Sequence, residues 1–78
     1  MNVKELKVQM IRKEKTVDQL CEAAGISRSA WFRKVGGESE FTQGEIIALR
    51  RELDLNDQET ALIFFSDDVS DKTQSEAD

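Results

Sequence analysis

Apolar residues recur along the first dozen positions at helical steps: Val3, Leu6 and Met10, with Ile11 beside them, are interleaved with Lys4, Glu5, Lys7, Gln9, Arg12 and Lys13. The spacing predicts an amphipathic first helix whose apolar stripe needs partners elsewhere in the chain. Those partners follow in short pieces. Thr16 stands three residues before Gln19, a capping-box start, and Leu20, Cys21, Ala23 and Ala24 give small and apolar positions to a second helix over about Val17 to Ala24. Gly25 falls where that helix has to stop in a left-handed conformation. Ser27 then opens a third helix, Arg28 to Lys34, so the intervening turn is about three residues long, the length of a helix-turn-helix.

Gly36, Gly37, Glu38 and Ser39 form a loop, and Thr42 with Glu45 makes a second capping box that opens a fourth helix over about Gln43 to Leu53. Phe41 and Ile46 stand at its two staple positions. Ile46, Leu49 and Leu53 repeat at helical spacing, with Arg50, Arg51 and Glu52 expected to face outward. A third box, Asn56 with Glu59, begins a last helix over about Asp57 to Phe65 that carries Ala61, Leu62, Ile63, Phe64 and Phe65. Helices below roughly 12 residues are marginal alone in water, so these pieces have to persist by packing on one another. No β-branched alternation points to a strand. Ser66 to Asp78 has one sizeable apolar residue, Val69, and five acids, too little apolar surface to offset ordering entropy. The expectation is an all-α, five-helix domain over 1–65 followed by a disordered acidic tail over 66–78.

A chain of 78 residues has room for one small domain. Its single cysteine excludes a disulfide framework and a thiolate zinc site, which suits a reducing cytoplasm. No apolar run approaches the roughly 18 residues that span a bilayer, so a soluble cytoplasmic protein with no membrane partner is expected. The net charge of −5 opposes binding to nucleic acid, but its distribution is uneven. Residues 1–35 hold eight Lys or Arg against four acids, a net +4, and residues 36–78 hold three against twelve, a net −9. A basic half beside an acidic half suits a small binder with one positive face, and equally an unevenly charged solvated surface. The chain has no histidine, no glycine-rich phosphate loop and no metal-ligand cluster, so no catalysis, cofactor or metal is expected.

Ile26 and Trp31 occupy the staple positions around Ser27, which turns the indole inward. Cys21 lacks any histidine partner and falls where only a small side chain fits between two helices, so it is expected to be a packed thiol. With Trp31 inward, Ser27, Arg28, Ser29, Phe32 and Arg33 lie on or near the opposite face, where a helix would meet the major groove of duplex DNA. Arginine makes bidentate pairs with guanine O6 and N7, serine can hydrogen-bond a base edge or phosphate, and Phe32 suits a thymine methyl. The amides at the starts of helices two and four, with Lys15, Ser39, Thr42 and Gln43, are candidate phosphate contacts. Thr42 also has a plain capping role.

The segment QLCEAAGISRSAWFRK resembles the helix-turn-helix of the lambda-repressor-like, or xenobiotic-response-element, regulators. Downstream, EFTQGEIIALRRELDLNDQETALIFF is similar to the last two helices of small repressors and Cro-like proteins of phages and prophages of Gram-positive bacteria. The resemblance covers about Leu6 to Phe65 and implies a compact five-helix domain with its third helix as the recognition helix. Two positions depart from the family: Val17 stands where members often carry a phosphate-gripping glutamine, and Cys21 where many have alanine. The family's full-length repressors also carry a separate dimerisation domain, so a homodimer of this chain is expected to use the domain itself, through some of Leu62, Ile63, Phe64 and Phe65. The implied function is a double-stranded DNA-binding transcriptional regulator that occupies an operator in a bacterial host cytoplasm. The rival is a protein-binding adaptor or antirepressor that keeps the helical framework and turns its acidic half and tail towards a basic protein. A third reading is an antitoxin-like regulator that binds both DNA and a toxin.

Overall fold

Five side-chain caps set where the helices begin. Asn2 Oδ1 accepts from the Glu5 amide at 3.0 Å and opens α1 (Val3–Arg12). Full capping boxes open α2 (Val17–Ala24) through Thr16 and Gln19, α4 (Gln43–Glu52) through Thr42 and Glu45, and α5 (Asp57–Phe64) through Asn56 and Glu59. Ser27 Oγ takes the Ala30 amide at 3.1 Å at the head of α3 (Arg28–Val35). Each cap gives an acceptor to an amide that has none within its own helix. The computed structural model describes residues 1–65, which contain these five helices and no strand; the segment 66–78, expected to be a disordered acidic tail, lies outside the described residues. No helix among the described residues is long and apolar enough to cross a membrane.

The ends of the first four helices follow one pattern. A single residue after each turns left-handed: Glu14 at φ 57°, Gly25 at 72°, Gly37 at 92° and Asp54 at 53°. The next amide then reaches back five residues, from Lys15 to Met10, Ile26 to Cys21, Glu38 to Arg33 and Leu55 to Arg50, at 2.8–3.0 Å. The left-handed residue itself donates to the carbonyl three before it, at 3.2–3.3 Å. This double closure satisfies carbonyls that the helix leaves open. At Gly25 an added Cβ would meet nothing within 4 Å, so the dihedral and not the space calls for glycine. Glu14 and Asp54 adopt the same conformation with a Cβ, at a cost of about 1 kcal/mol each.

Every helix contributes to one core: Leu6 from α1, Leu20 and Cys21 from α2, Trp31 from α3, Leu49 from α4 and Ile63 from α5, joined by Leu53 and Leu55 from the α4–α5 connection. Helix α2 lies at the centre, packed on α4 and on α3, while α1 packs on α5. The Asn2 amide donates to the Ile63 carbonyl at 2.7 Å and pins the start of the chain to α5. Three aromatic rings extend the core towards the surface. Phe41 meets Trp31 edge-on at 5.5 Å and Phe64 edge-on at 5.8 Å between centroids, joining α3, the following loop and α5.

The helix boundaries fall within one residue of the sequence expectation, with α3 running on to Val35, α4 stopping at Glu52 and α5 at Phe64. The stripe of α1 differs more. Ile11 is 79% exposed and Gln9 only 1%, the reverse of the expected pattern. Five steps of about 100° carry Ile11 roughly 140° around the helix from buried Leu6, whereas Gln9 and Met10 return to the Leu6 face. Inside, Gln9 Nε2 donates to Glu5 at 3.1 Å and to Glu59 on α5 at 3.4 Å, while its Oε1 is buried without a hydrogen-bond partner among the described residues. Arg50 and Glu52, expected to face outward, are half-buried, Arg50 ion-paired with Asp57 and Glu52 with Lys15. Of the apolar run on α5, Ile63 is buried and Phe64 half-buried, while Ala61, Leu62 and Phe65 are exposed.

Candidate nucleic-acid interface

Helix α3 has one inward edge. Taking Trp31 as the origin at about 100° per residue, Val35, Lys34 and Ala30 lie on the buried flanks, and Arg28, Phe32, Ser29 and Arg33 occupy a contiguous outer arc of about 140°. Burial agrees: Trp31 is buried, Ala30, Lys34 and Val35 are half-buried, and Ser27, Arg28, Ser29, Phe32 and Arg33 are exposed. The five residues expected to form one surface are therefore brought together. Ser27 also works as the N-cap of α3, so one lone pair of its Oγ is committed, and its carbonyl accepts from Cys21 Sγ at 3.8 Å. Burial pushes the Cys21 thiol up, against the smaller opposing effect of nearby Arg28, and leaves it a packed group holding α2 to the head of α3.

The two arginines are held differently. Arg28 Nη1 donates to Asp18 Oδ1 on α2 at 2.5 Å, and its guanidinium carbon lies 5.7 Å from the centroid of the Phe32 ring. Arg33 is exposed and has no ion-pair partner among the described residues. Asp18 lies in the first turn of α2. No local motif connects it to Arg28, ten residues on, because the pairing depends on the Gly25 turn bringing the head of α3 against α2.

Lys34 is committed to the framework. Its Nζ donates to the Glu40 carbonyl at 3.1 Å, pairs with Glu45 Oε1 at 3.1 Å and lies 5.8 Å from the Phe41 ring centroid. The Lys34 and Glu45 side chains are only 13% and 16% exposed. Together they tie the end of α3 to the start of α4 and hold the 36–42 loop between them. The Thr42 amide, donating at 2.9 Å, is the main cause that holds the Glu45 carboxyl below the usual glutamate range; burial opposes it, and Lys34 adds to it. A carboxyl with a lowered folded-state pKa contributes stability above its unfolded pKa of about 4.3, and that contribution is lost as pH falls through the lower folded value. Glu45→Gln keeps a capping side chain and removes the charge. It is expected to lower the melting temperature at about pH 7, with the difference from wild type narrowing towards about pH 3, as thermal unfolding at the two pH values would show.

The candidate phosphate contacts lie on segments other than α3. Ser39, Thr42 and Gln43 are exposed, with Thr42 Oγ1 accepting the Glu45 amide at 3.2 Å as a cap. Lys15 is half-buried and its Nζ is on Glu52 Oε2 at 2.9 Å, so a phosphate would have to compete with that carboxylate. The caps of α2 and α4 take only the third amide of each helix, which leaves the first two amides without intrahelical acceptors, although at α2 the Asp18 carboxylate in that turn opposes a phosphate. In comparisons with known proteins, no family model, no curated protein and no solved structure matches this chain.

Proposed function

We propose that this chain is a double-stranded DNA-binding regulator of the helix-turn-helix class, with α2 as the supporting helix and α3 as the helix that enters the major groove. More particularly, it acts as a repressor or Cro-like protein of the lambda-repressor-like kind, of phage or prophage type, occupying an operator and thereby blocking or recruiting polymerase. The observation that carries this reading is the outer arc of α3, where Arg28, Ser29, Phe32 and Arg33 are exposed together opposite a buried Trp31. Helices of this length enter the groove by their N-terminal part, and Arg28 and Ser29 occupy the first turn. The chemistry also suits the groove: two guanidinium forks for guanine, one hydroxyl, and one ring for a thymine methyl.

The exposed Leu62 and Phe65 support a homodimer through the end of α5, beside a recess of about 480 Å³ lined in part by Met1, Phe41, Ile46 and Phe64. A two-fold pair would place its recognition helices about 34 to 36 Å apart along one face of the duplex. Footprinting on the DNA beside the protein's own coding region tests the reading, since it reports target and symmetry together; no protected site there or on randomised duplex would sink it. Salt gives a second check. With about four phosphate contacts per protomer, and so about eight for the two-fold pair, affinity of the pair is expected to fall about ten-thousandfold between roughly 50 and 200 mM salt, measured by fluorescence anisotropy. A flat salt response would point to a protein partner.

A further inference from the structure

We propose that Asp18 and Phe32 form a seat that orients Arg28, making Asp18 a specificity-determining residue that contacts no base itself. The inference rests on the DNA-binding reading above and deepens it. Asp18 takes one end of the guanidinium, at Nη1, and Phe32 lies under it, while the Nε–Nη2 edge carries no hydrogen bond among the described residues. A planar cation engaged at Nη1 and along one face keeps its Nε–Nη2 fork of donors open, which is the element that matches guanine O6 and N7. A free arginine would have to lose several rotamers on reaching a base, and these two contacts narrow that set beforehand. The geometry also accounts for a carboxylate at the site. Asp18 lies in the first turn of α2, where a negative charge suits the helix N-terminus, yet a phosphate approaching there would be repelled. Asp18 therefore gives up non-specific attraction and gains direction: the arginine is steered towards a base and away from the backbone phosphates.

The two effects have opposite signs, which separates them from a merely structural role. Asp18→Ala is expected to raise affinity for random duplex severalfold, because a negative charge leaves the interface, and to reduce the preference for guanine at one position of each half-site by about tenfold. Asp18→Asn, which keeps an acceptor without the charge, should fall between. In an Arg28→Ala background, Asp18→Ala should no longer alter that preference. The experiment is selection from a randomised duplex pool followed by sequencing, carried out with the full chain and each variant, with circular dichroism confirming the helical fold. A wild-type chain that enriches a guanine-containing site, with Asp18→Ala enriching the same site at undiminished guanine preference, overturns the role of Asp18 alone. A wild-type chain that enriches nothing overturns the DNA-binding reading and this inference with it.

Discussion

Changing Arg28 and Arg33 together to alanine is expected to abolish operator recognition while leaving the domain folded. Each arginine that makes a bidentate guanine contact contributes about 1 to 3 kcal/mol of discrimination, so loss of both should weaken specific binding by at least about thirtyfold. Neither change touches the core. Both residues are exposed, and the Arg28–Asp18 pair, with side chains 59% and 71% exposed, is the kind of surface ion pair that adds little to stability. The melting temperature should therefore stay within the range of an ordinary surface substitution, about 0.5 kcal/mol in free energy. Anisotropy with labelled operator and a thermal melt on the same preparation make the comparison. The adaptor reading makes the opposite forecast, an unchanged partner affinity in the double variant, and unchanged operator affinity would remove the outer arc of α3 from the mechanism.

Trp31→Ala should have the largest effect on the fold itself. Truncating a buried tryptophan costs about 3 to 5 kcal/mol, and here the edge-on contact with Phe41 goes with it. A domain of this size has a total stability on the order of 3 to 10 kcal/mol, so the variant is expected to lose most of its cooperative unfolding transition at room temperature. Trp31 is the only tryptophan in the chain, which makes circular dichroism in urea the appropriate readout for the variant. Retention of a sharp transition near the wild-type midpoint would mean that the indole is not the anchor behind α3.

What could be read from the sequence was what is encoded locally. The three boxes Thr16/Gln19, Thr42/Glu45 and Asn56/Glu59 span three residues each, and their hydrogen bonds form within one turn, so the pattern announces the helix start without reference to the rest of the chain. The inward turn of Trp31 and the exposure of Arg28 and Arg33 follow from helical geometry once that start is known. Helix ends at Glu14 and Asp54 were not legible in the same way, because the left-handed stop there lacks the glycine that marks it at Gly25. Gln9 was misplaced because its burial depends on Glu59 from another helix, fifty residues away. Leu55 carries no local signal, since it belongs to no helical repeat and is buried only by the way the chain passes from α4 to α5. The same limit hid the partners of the cations. Lys34 and Lys15 look like free positive charges in the sequence, but the fold brings Glu45 and Glu52 to them.

The four matching closures at Glu14, Gly25, Gly37 and Asp54 have a consequence for kinetics. Connections that return amides to the preceding helix have less freedom left to lose, so on the DNA-binding reading the outer arc of α3 would meet a duplex already ordered. Association would then wait on no ordering of the protein, and differences among related operators would appear chiefly as differences in how long the complex survives.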